Sequence, residues 1–532
     1  MIKLCTVDEV RAAERAAVRA GRSESDLMGF AAVGFAALLL ERAGLDRGIA
    51  VFLIGPGRNG GDGLLAAAIL AEEGWDCRIW TFDRDSIADP DLAASMPDSL
   101  TWLDDIAGLR RAIDVADIII DAVFGTGGKT DLPAEVASAF DWAHQARVDH
   151  GTPLWAVDVP TGVNADTGEA TDQAFKADVT VCIGLPKLGL YRVPGLRFAG
   201  EIEQVEIGLE APTSSAADVE LITEAAVRRL LPRRRQDTHK HDVGWLMVIG
   251  GAPNYFGAPR MSAEAAARAG AGMVCLAVPR SLVAPIASAV REVTFLPLPD
   301  AEFGGAGDRM AKLVKERLPE FAALLVGPGL GQDDPIPDFL SRLFGLQESS
   351  RSIGFGSTAA QAETESFRGR AVVDADGLNW LAKQDGWHES LRDAELVLTP
   401  HPGELSRLTG MSTEAITGNP WDAARNAAEK FQQVVVLKHA FAVVAAPGKP
   451  LLIGPRSQPA LASAGTGDVL AGVIAGLMAQ GLAPRDAAAA GLFIGSRAAD
   501  FAVASVGTLS LVAGDVIEAL PLSIRALYDR NW

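Results

Sequence analysis

Short apolar runs rich in Val, Ile and Leu alternate with stretches of helical period along the whole chain, and most of them end on glycine or aspartate. In the first half the runs fall at residues 49–54, 77–82, 118–120, 154–157 and 178–183, with helical stretches such as 64–73 and 134–147 between them. A run that is apolar on both faces has to be covered on both sides, which a parallel sheet packed between helices provides. The second half repeats the style at 245–249, 273–278, 324–326, 371–373, 396–399 and 434–437, and closes with two Ala-rich helices. The expected fold class is therefore α/β, with two doubly wound domains.

At 532 residues the chain exceeds the ~100–200 residues of one domain. The text turns small and polar over 210–218, EAPTSSAAD, and the basic run Arg233 to Arg235 then leads into a new strand. This places a first domain at 1–212, a linker at 213–228 and a second domain at 229–532. Thr6 followed by Glu9 has capping-box spacing, so a helix is expected over 7–20. The apolar stretches 30–40 and 470–478 fall short of the ~18 residues of a membrane span and read as buried helices. Residues 349–367 read as a surface loop or insertion.

Charge and cysteines exclude several classes. Lys plus Arg is 48 against 68 Asp plus Glu, a net charge of −20, which opposes binding to nucleic acid or an anionic membrane. Cys5, Cys77, Cys182 and Cys275 lie far apart, so neither a disulfide framework nor a structural zinc is expected. The N-terminal MIKLCTVDEVRAAERA carries charges where a secretory signal needs an apolar core, so a cytoplasmic protein is expected.

The glycine clusters carry the chemistry. Residues 54–63, IGPGRNGGDG, join a buried strand to a helix, where glycine lets the backbone approach a ligand and free N–H groups favour an anion such as a phosphate. Asp121 and Asp158 end two further strands of the same sheet, at the edge where open sheets bind ligands; each could also cap the turn that follows. GPGRNGGDG, IIDAVFGTG, DVPTGVNADTG and VTVCIGLPKLGL, in this order, resemble the NAD(P)H-hydrate epimerase family over nearly all of residues 1–210. Such enzymes interconvert the R and S forms of hydrated NADH and NADPH (NADHX and NADPHX), on a Rossmann-like three-layer sandwich.

The resemblance implies that Arg58, Asn59, Gly60, Gly61 and Asp62 contact the substrate, together with Gly125, Thr126, Gly127, Gly128, Lys129, Thr130, Asp131 and Asp158. It implies a potassium ion on Asn59, Asp121 and Thr161, whose oxygens suit a hard cation. Asp158 is the expected group for proton transfer at the epimerised carbon and Lys187 the second candidate; Lys187 reads equally as a solvated loop lysine. Arg58 stands where the family usually has Asn, Gly128 and Lys129 where it has a Leu and an Arg, and Gly29 where it has an acidic residue.

In the second half, residues 464–472, AGTGDVLAG, run into an apolar helix. Gly465 and Gly467 free backbone N–H groups for a transferring phosphoryl group, and Asp468 could take the proton of an attacking hydroxyl; Thr466 or Asp468 could also be an ordinary N-cap. VGPGLG at 326–331, VVDADGLN with Asp374 and Asp376, and THPGE with His401 point to the same sheet edge. The two aspartates could fix a turn or hold a magnesium shell, His401 could cap a helix, and Lys438 could neutralise phosphate or snorkel from a strand end.

With the segment from Tyr255 these motifs resemble the ADP- or ATP-dependent NAD(P)H-hydrate dehydratases, a branch of the ribokinase-like fold, over about residues 230–530. The resemblance implies that Ala258, Gly331 and His401 touch the hydrated nucleotide, and that Lys438, His439, Ala440, Phe441, Ala442 and Gly467 touch ADP or ATP, bound with Mg2+. Asp468 would be catalytic and would also contact the hydrate. KHAFAVVA from Lys438 departs from the family's usual Lys-Gly and Thr.

The combined expectation is one polypeptide that epimerises the hydrates and dehydrates the S form, as a homo-oligomer without nucleic acid or membrane partners. A small-molecule kinase for a vitamin or sugar, fused to a nucleotide-binding regulatory domain, and a non-catalytic nucleotide sensor both remain open on the sequence.

Overall fold

The computed structural model describes residues 1–42, 47–83, 96–127, 131–212, 217–239, 242–300, 305–346, 365–454 and 458–528. The chain divides into two compact units, 2–219 and 220–532. The division falls inside the stretch 213–228 expected as a linker, which carries the strand Val219–Leu221 and the start of the helix Glu224–Leu230. Of the loop expected over 349–367, only 365–367 lie within the described residues.

The N-terminal unit opens as the capping box requires: the Thr6 hydroxyl accepts from Glu9 N–H, the Glu9 carboxylate accepts from Thr6 N–H, and the helix Val7–Arg19 follows. Its parallel sheet runs in the order Thr101–Trp102, Asp76–Thr81, Ile49–Ile54, Ile118–Ala122, Leu154–Val157, Val179–Ile183, Glu201–Val205. The order reverses between Ile49–Ile54 and Ile118–Ala122, and this switch point opens a crevice at the carboxyl ends of the strands. Helices Glu24–Arg42 and Arg58–Glu72 cover one face around Phe35 and Phe52, and helices Ile106–Ile113 and Ala134–His150 cover the other around Phe140 and Phe175. Each such side chain, fully buried, stabilises the unit by roughly 1.5–3 kcal/mol.

Two expectations need correction here. The helix after the first strand begins at Arg58 rather than near Leu64, so most of the glycine-rich run is helical and only Gly55 to Gly57 form the turn. Gly63 then serves packing, because a Cβ there would lie 2.5 Å from the Ala122 Cβ. The stretch 30–40 is buried on one face only: Phe35 and Leu39 are in the core, whereas Phe30 and Val33 are exposed.

The C-terminal unit has a parallel sheet in the order Thr294–Leu298, Met273–Pro279, Trp245–Ile249, Ala323–Val326, Arg370–Val373, Glu395–Leu398, Val434–Leu437. Val443–Ala445 and Leu451–Ile453 extend it antiparallel. Its switch point lies between Trp245–Ile249 and Ala323–Val326. The expected Ala-rich helices are Thr466–Ala479 and Pro484–Val506, and a third, Ala513–Tyr528, follows them. Pro484–Val506 is long and apolar enough to cross a membrane by length and composition, but Ala487 to Ala490 lie in the core of this unit.

Candidate active sites

Two turns meet at the first switch point. Gly55 passes so close to the next strand end that a Cβ would lie 1.9 Å from the Val123 carbonyl oxygen. The turn delivers Gly57 as the N-cap of Arg58–Glu72, and no side chain caps that helix, so its first N–H groups face the crevice. The crevice has a volume of about 850 Å³ and brings together Arg58, Asn59, Asp62, Gly125, Thr126, Gly127, Asp158 and Lys187. Gly60 and Gly61 are buried within the helix, and Gly61 abuts Met28. Asp131 is exposed and is not among the lining residues, and Gly128, Lys129 and Thr130 lie outside the described residues.

Asp158 and Lys187 form a buried ion pair. Asp158 follows the strand Leu154–Val157 with φ of 67°, a left-handed conformation that Asp tolerates better than most residues. This turns its carboxylate back over the sheet, where Ile183 N–H donates to it at 3.1 Å and the Lys187 ammonium donates to the same oxygen. Lys187 also donates to the Ile183 carbonyl and is 1% exposed, so it is not a solvated loop lysine. Burial pushes its ammonium towards deprotonation, but Asp158 and Cys182 outweigh that and hold it above its usual range.

Four carboxyl groups, Asp158, Asp62, Glu14 and Glu24, line the crevice with this lysine. Burial, reinforced by the negative charge of Asp158, pushes Asp62 well above the usual carboxylate range. Burial likewise raises Glu14, against the pull of Arg58. Sequence reasoning missed Glu14; its signal was the helical spacing of Val10, Glu14 and Val18, which turns one face of Val7–Arg19 to the crevice. Arg58 sits at the rim, bound by Glu24 through two contacts of 2.9 Å and by Glu14 at 3.6 Å.

Asp121 and Thr161 are paired beneath the strand ends, and Asn59 lies beside Gly125. Asp121 is fully buried and accepts from Thr161 N–H at 2.7 Å, Thr161 Oγ1 at 2.8 Å and Val123 N–H at 3.0 Å. Burial still pushes its carboxyl up to about 7. Both polar atoms of the Asn59 amide are buried without a hydrogen-bond partner, and a Cβ on Gly125 would crowd that amide at 3.1 Å. The unpartnered Asn59 carbonyl oxygen, the Asp121 carboxylate and the Thr161 hydroxyl are oxygen donors of the kind that suits a hard cation.

In the C-terminal unit the helix Thr466–Ala479 starts at Gly465, whose φ is 89°, and no side chain caps it. Neither Thr466 nor Asp468 is the N-cap: the Thr466 hydroxyl donates instead to the carbonyls of Leu461 and Ser463, both at 2.8 Å. A Cβ on Gly467 would lie 3.3 Å from Lys438 Nζ, so the ammonium and the bare helix start face each other. Burial, reinforced by Asp374, pushes Asp468 up to about 7. Lys438 donates to Asp374 Oδ1 at 2.8 Å, and its nitrogen lies 4.0 Å from Glu404. Burial opposes its charge, but the two carboxylates hold Lys438 above its usual range.

Of the alternatives open for the paired aspartates, Asp376 fixes the turn, accepting from Gly331 N–H at 2.9 Å, whereas Asp374 is engaged by Lys438 and by Thr399 Oγ1 at 2.8 Å. His401 is the N-cap of Pro402–Thr409; its Nδ1 accepts from Gly403 and Glu404 N–H, and burial with nearby Lys438 lowers its affinity for a proton. Ala258 lies in the first turn of the helix Gly257–Arg268 and Gly331 in the turn after Ala323–Val326; a Cβ on Gly329 of that turn would meet the Ala258 Cβ at 3.2 Å. His439, Ala440, Phe441 and Ala442 connect Val434–Leu437 to Val443–Ala445, with Phe441 buried.

Residues 246–522 match the family model described as NAD(P)H-hydrate dehydratase, and residues 24–189 match that of the YjeF-related protein N-terminus. The bifunctional NAD(P)H-hydrate repair enzyme Nnr of Moorella thermoacetica is 35% identical over 91% of this chain and 88% of its own. That of Salinibacter ruber is 35% identical over 97% of this chain and 95% of its own. Among solved structures, an ADP/ATP-dependent NAD(P)H-hydrate dehydratase from Bacillus subtilis, co-crystallised with ATP/Mg2+, covers 59% of this chain and 100% of its own, at 24% identity and a TM-score of 0.47.

Proposed function

The chain belongs to the bifunctional NAD(P)H-hydrate repair enzymes, and from that premise we propose how its residues divide the work. The chemistry is nicotinamide nucleotide repair: epimerisation of the R and S hydrates of NADH and NADPH, and nucleotide-dependent dehydration of the S hydrate. Water adds to the dihydropyridine at C6 without stereocontrol, so a dehydratase that takes one epimer leaves the other behind. An epimerase on the same chain removes that limit.

In the N-terminal crevice Asp158 takes the proton of the C6 hydroxyl as the C6–N1 bond opens, its electron pair passing to N1 and C6 becoming an aldehyde; N1 then closes on the other face of C6, the oxygen recovers the proton from Asp158, and Lys187 with Ile183 N–H holds the carboxylate in place. The bare start of Arg58–Glu72 receives phosphate, with Arg58 releasing Glu24 to meet it. Asn59, Asp121 and Thr161 would hold a potassium ion, which supplies a fixed positive charge beside the substrate when bound.

In the C-terminal unit Asp468 accepts the proton of the C6 hydroxyl as that oxygen attacks the terminal phosphorus of the magnesium-bound nucleotide. Lys438 and the N–H groups at Gly467 stabilise the charge on the transferring group. Phosphate then leaves C6 as C5 gives up a proton, restoring the dihydropyridine and leaving AMP from ADP, or ADP from ATP. Ala258, Gly331 and His401 bind the hydrate. We also read the chain as a cytoplasmic homo-oligomer, which light scattering on the purified protein and fractionation of its host test.

The observation that carries this reading is Asp468 at an uncapped helix start with Lys438 facing it across Gly467. The test follows near-ultraviolet absorbance of the dihydronicotinamide on mixed R and S NADH hydrates with ADP or ATP and Mg2+. Wild type is expected to recover all the NADH, Asp158→Asn to stall after the S fraction, and Asp468→Asn to recover none. A stable phosphorylated product would instead indicate a small-molecule kinase, and binding without turnover that Asp468→Asn leaves unaltered would indicate a sensor.

A further inference from the structure

Two buried carboxylates of the C-terminal unit, Asp374 and Glu404, take no part in the reaction as described, yet both face Lys438. Asp374 follows the strand Arg370–Val373 and is 2% exposed; one oxygen, Oδ1, accepts from Thr399 Oγ1 and from Lys438 Nζ, each at 2.8 Å. Glu404 lies in the first turn of Pro402–Thr409, its Oε2 accepting from His401 N–H at 2.8 Å and standing 4.0 Å from Lys438 Nζ. A lysine is a point charge on a flexible stem, so its position is set by what holds the ammonium. Here Asp374 takes one of the three N–H bonds, Glu404 sits near a second, and the bare start of Thr466–Ala479 lies in front.

We propose that Asp374 is a positioning residue for phosphoryl transfer: its carboxylate, aimed by Thr399, holds the Lys438 ammonium at the start of the helix Thr466–Ala479. The assignment rests on the roles given above to Lys438 and Asp468. The charged groups facing Asp468 are Asp374, Lys438 and Glu404, with His401 and Arg407 beyond them around Lys438. Without the Asp374 charge, Lys438 is free to turn to Asp468 or Glu404. Two changes then favour ionised Asp468: a negative neighbour is lost and a positive one draws closer.

The experiment uses the full chain, with S-NADHX as substrate and ADP with Mg2+, comparing Asp374→Asn, Lys438→Gln and the double variant. Asp374→Asn is expected to raise the nucleotide KM about tenfold or more and to move the acid limb of the dehydration profile to lower pH. The double variant is expected to be no worse than Lys438→Gln alone, because Asp374 acts through that lysine. An unchanged KM and pH limb in Asp374→Asn, or single losses that multiply in the double variant, would overturn the proposal. If Asp374→Asn does not fold, Thr399→Val replaces it: a smaller shift in the same direction supports the role, and no shift overturns it. Turnover retained by Asp468→Asn would remove the base assignment instead, while the coupling between Asp374 and Lys438 in KM still decides the positioning role.

Discussion

Lys187 and Asp158 are joined in a buried ion pair that Asp158 reaches only by adopting a left-handed backbone conformation, with φ of 67°. Replacing either group alone leaves the other buried without its charged partner. Lys187→Met leaves a carboxylate with its partner gone and should cost about 3–5 kcal/mol of stability in addition to epimerisation. The double variant with Asp158→Asn should regain part of that stability and none of the activity. Denaturant unfolding followed beside the epimerase assay checks this, and a double variant no more stable than Lys187→Met would count against the pair.

The base role proposed for Asp468 assigns the acid limb of dehydration to that residue. With its carboxyl pushed up to about 7, the base form dominates only above that value, so the rate with the S hydrate should fall about tenfold per pH unit below it. Asp468→Asn should show no such limb in whatever residual rate it keeps. A wild-type limb near the usual carboxylate range would mean that burial does not tune this group.

The potassium site proposed at Asp121 ties ion binding to stability. The Asp121 carboxyl is raised to about 7 in the folded state, so the folded chain holds the proton longer than the unfolded one. The stability from this group is complete below the ordinary aspartate range and is lost as pH rises through about 7. A cation beside Asp121 offsets the loss, so added KCl should slow hydrogen exchange at Val123 and Thr161 more at about pH 8 than at about pH 5. Choline chloride should not substitute, and Asp121→Asn should abolish the difference; equal protection by both salts would argue against the site.

His401 has two separable duties. As an N-cap its Nδ1 accepts from Gly403 and Glu404, so His401→Ala should cost about 1 kcal/mol, whereas His401→Asn, itself a strong cap, should keep that stability. Both variants should raise the KM for the hydrate if the ring also binds substrate. Thermal melts beside dehydratase kinetics separate the two, and an unaltered KM in both would confine His401 to capping.

Much of the fold is legible in the sequence because the buried parallel strands are continuous apolar runs: Ile49–Ile54, Leu154–Val157, Trp245–Ile249 and Val434–Leu437 have the bounds their composition suggests. The start of Arg58–Glu72 is not, since glycines at 60, 61 and 63 argue against helix until the neighbours that crowd two of them, Met28 at Gly61 and Ala122 at Gly63, are in view. Asp158 and Asp468 are legible from their places at a strand end and a helix start. The burial of Lys187 is not, because its partner lies 29 residues away, and neither is the claim of Asp374 on Lys438, across 64 residues. Local pattern carries strand ends; it does not carry the pairing of charges across a sheet.

The helix bearing Asp468 lies against Gly257–Arg268, the helix bearing Ala258, with glycines at the contact: a Cβ on Gly472 would lie 2.2 Å from the Ser262 carbonyl oxygen, and one on Gly476 2.8 Å from that of Ala266. Ser262 Oγ adds a hydrogen bond to the Asp468 carbonyl oxygen at 3.0 Å. Two main chains in contact leave no side chain between them to lengthen or shorten. The spacing of Asp468 from Ala258, the proposed base and hydrate contact, is thus closed to gradual adjustment by mutation. A library aimed at new substrates should therefore randomise the turns at the strand ends and leave this helix pair untouched.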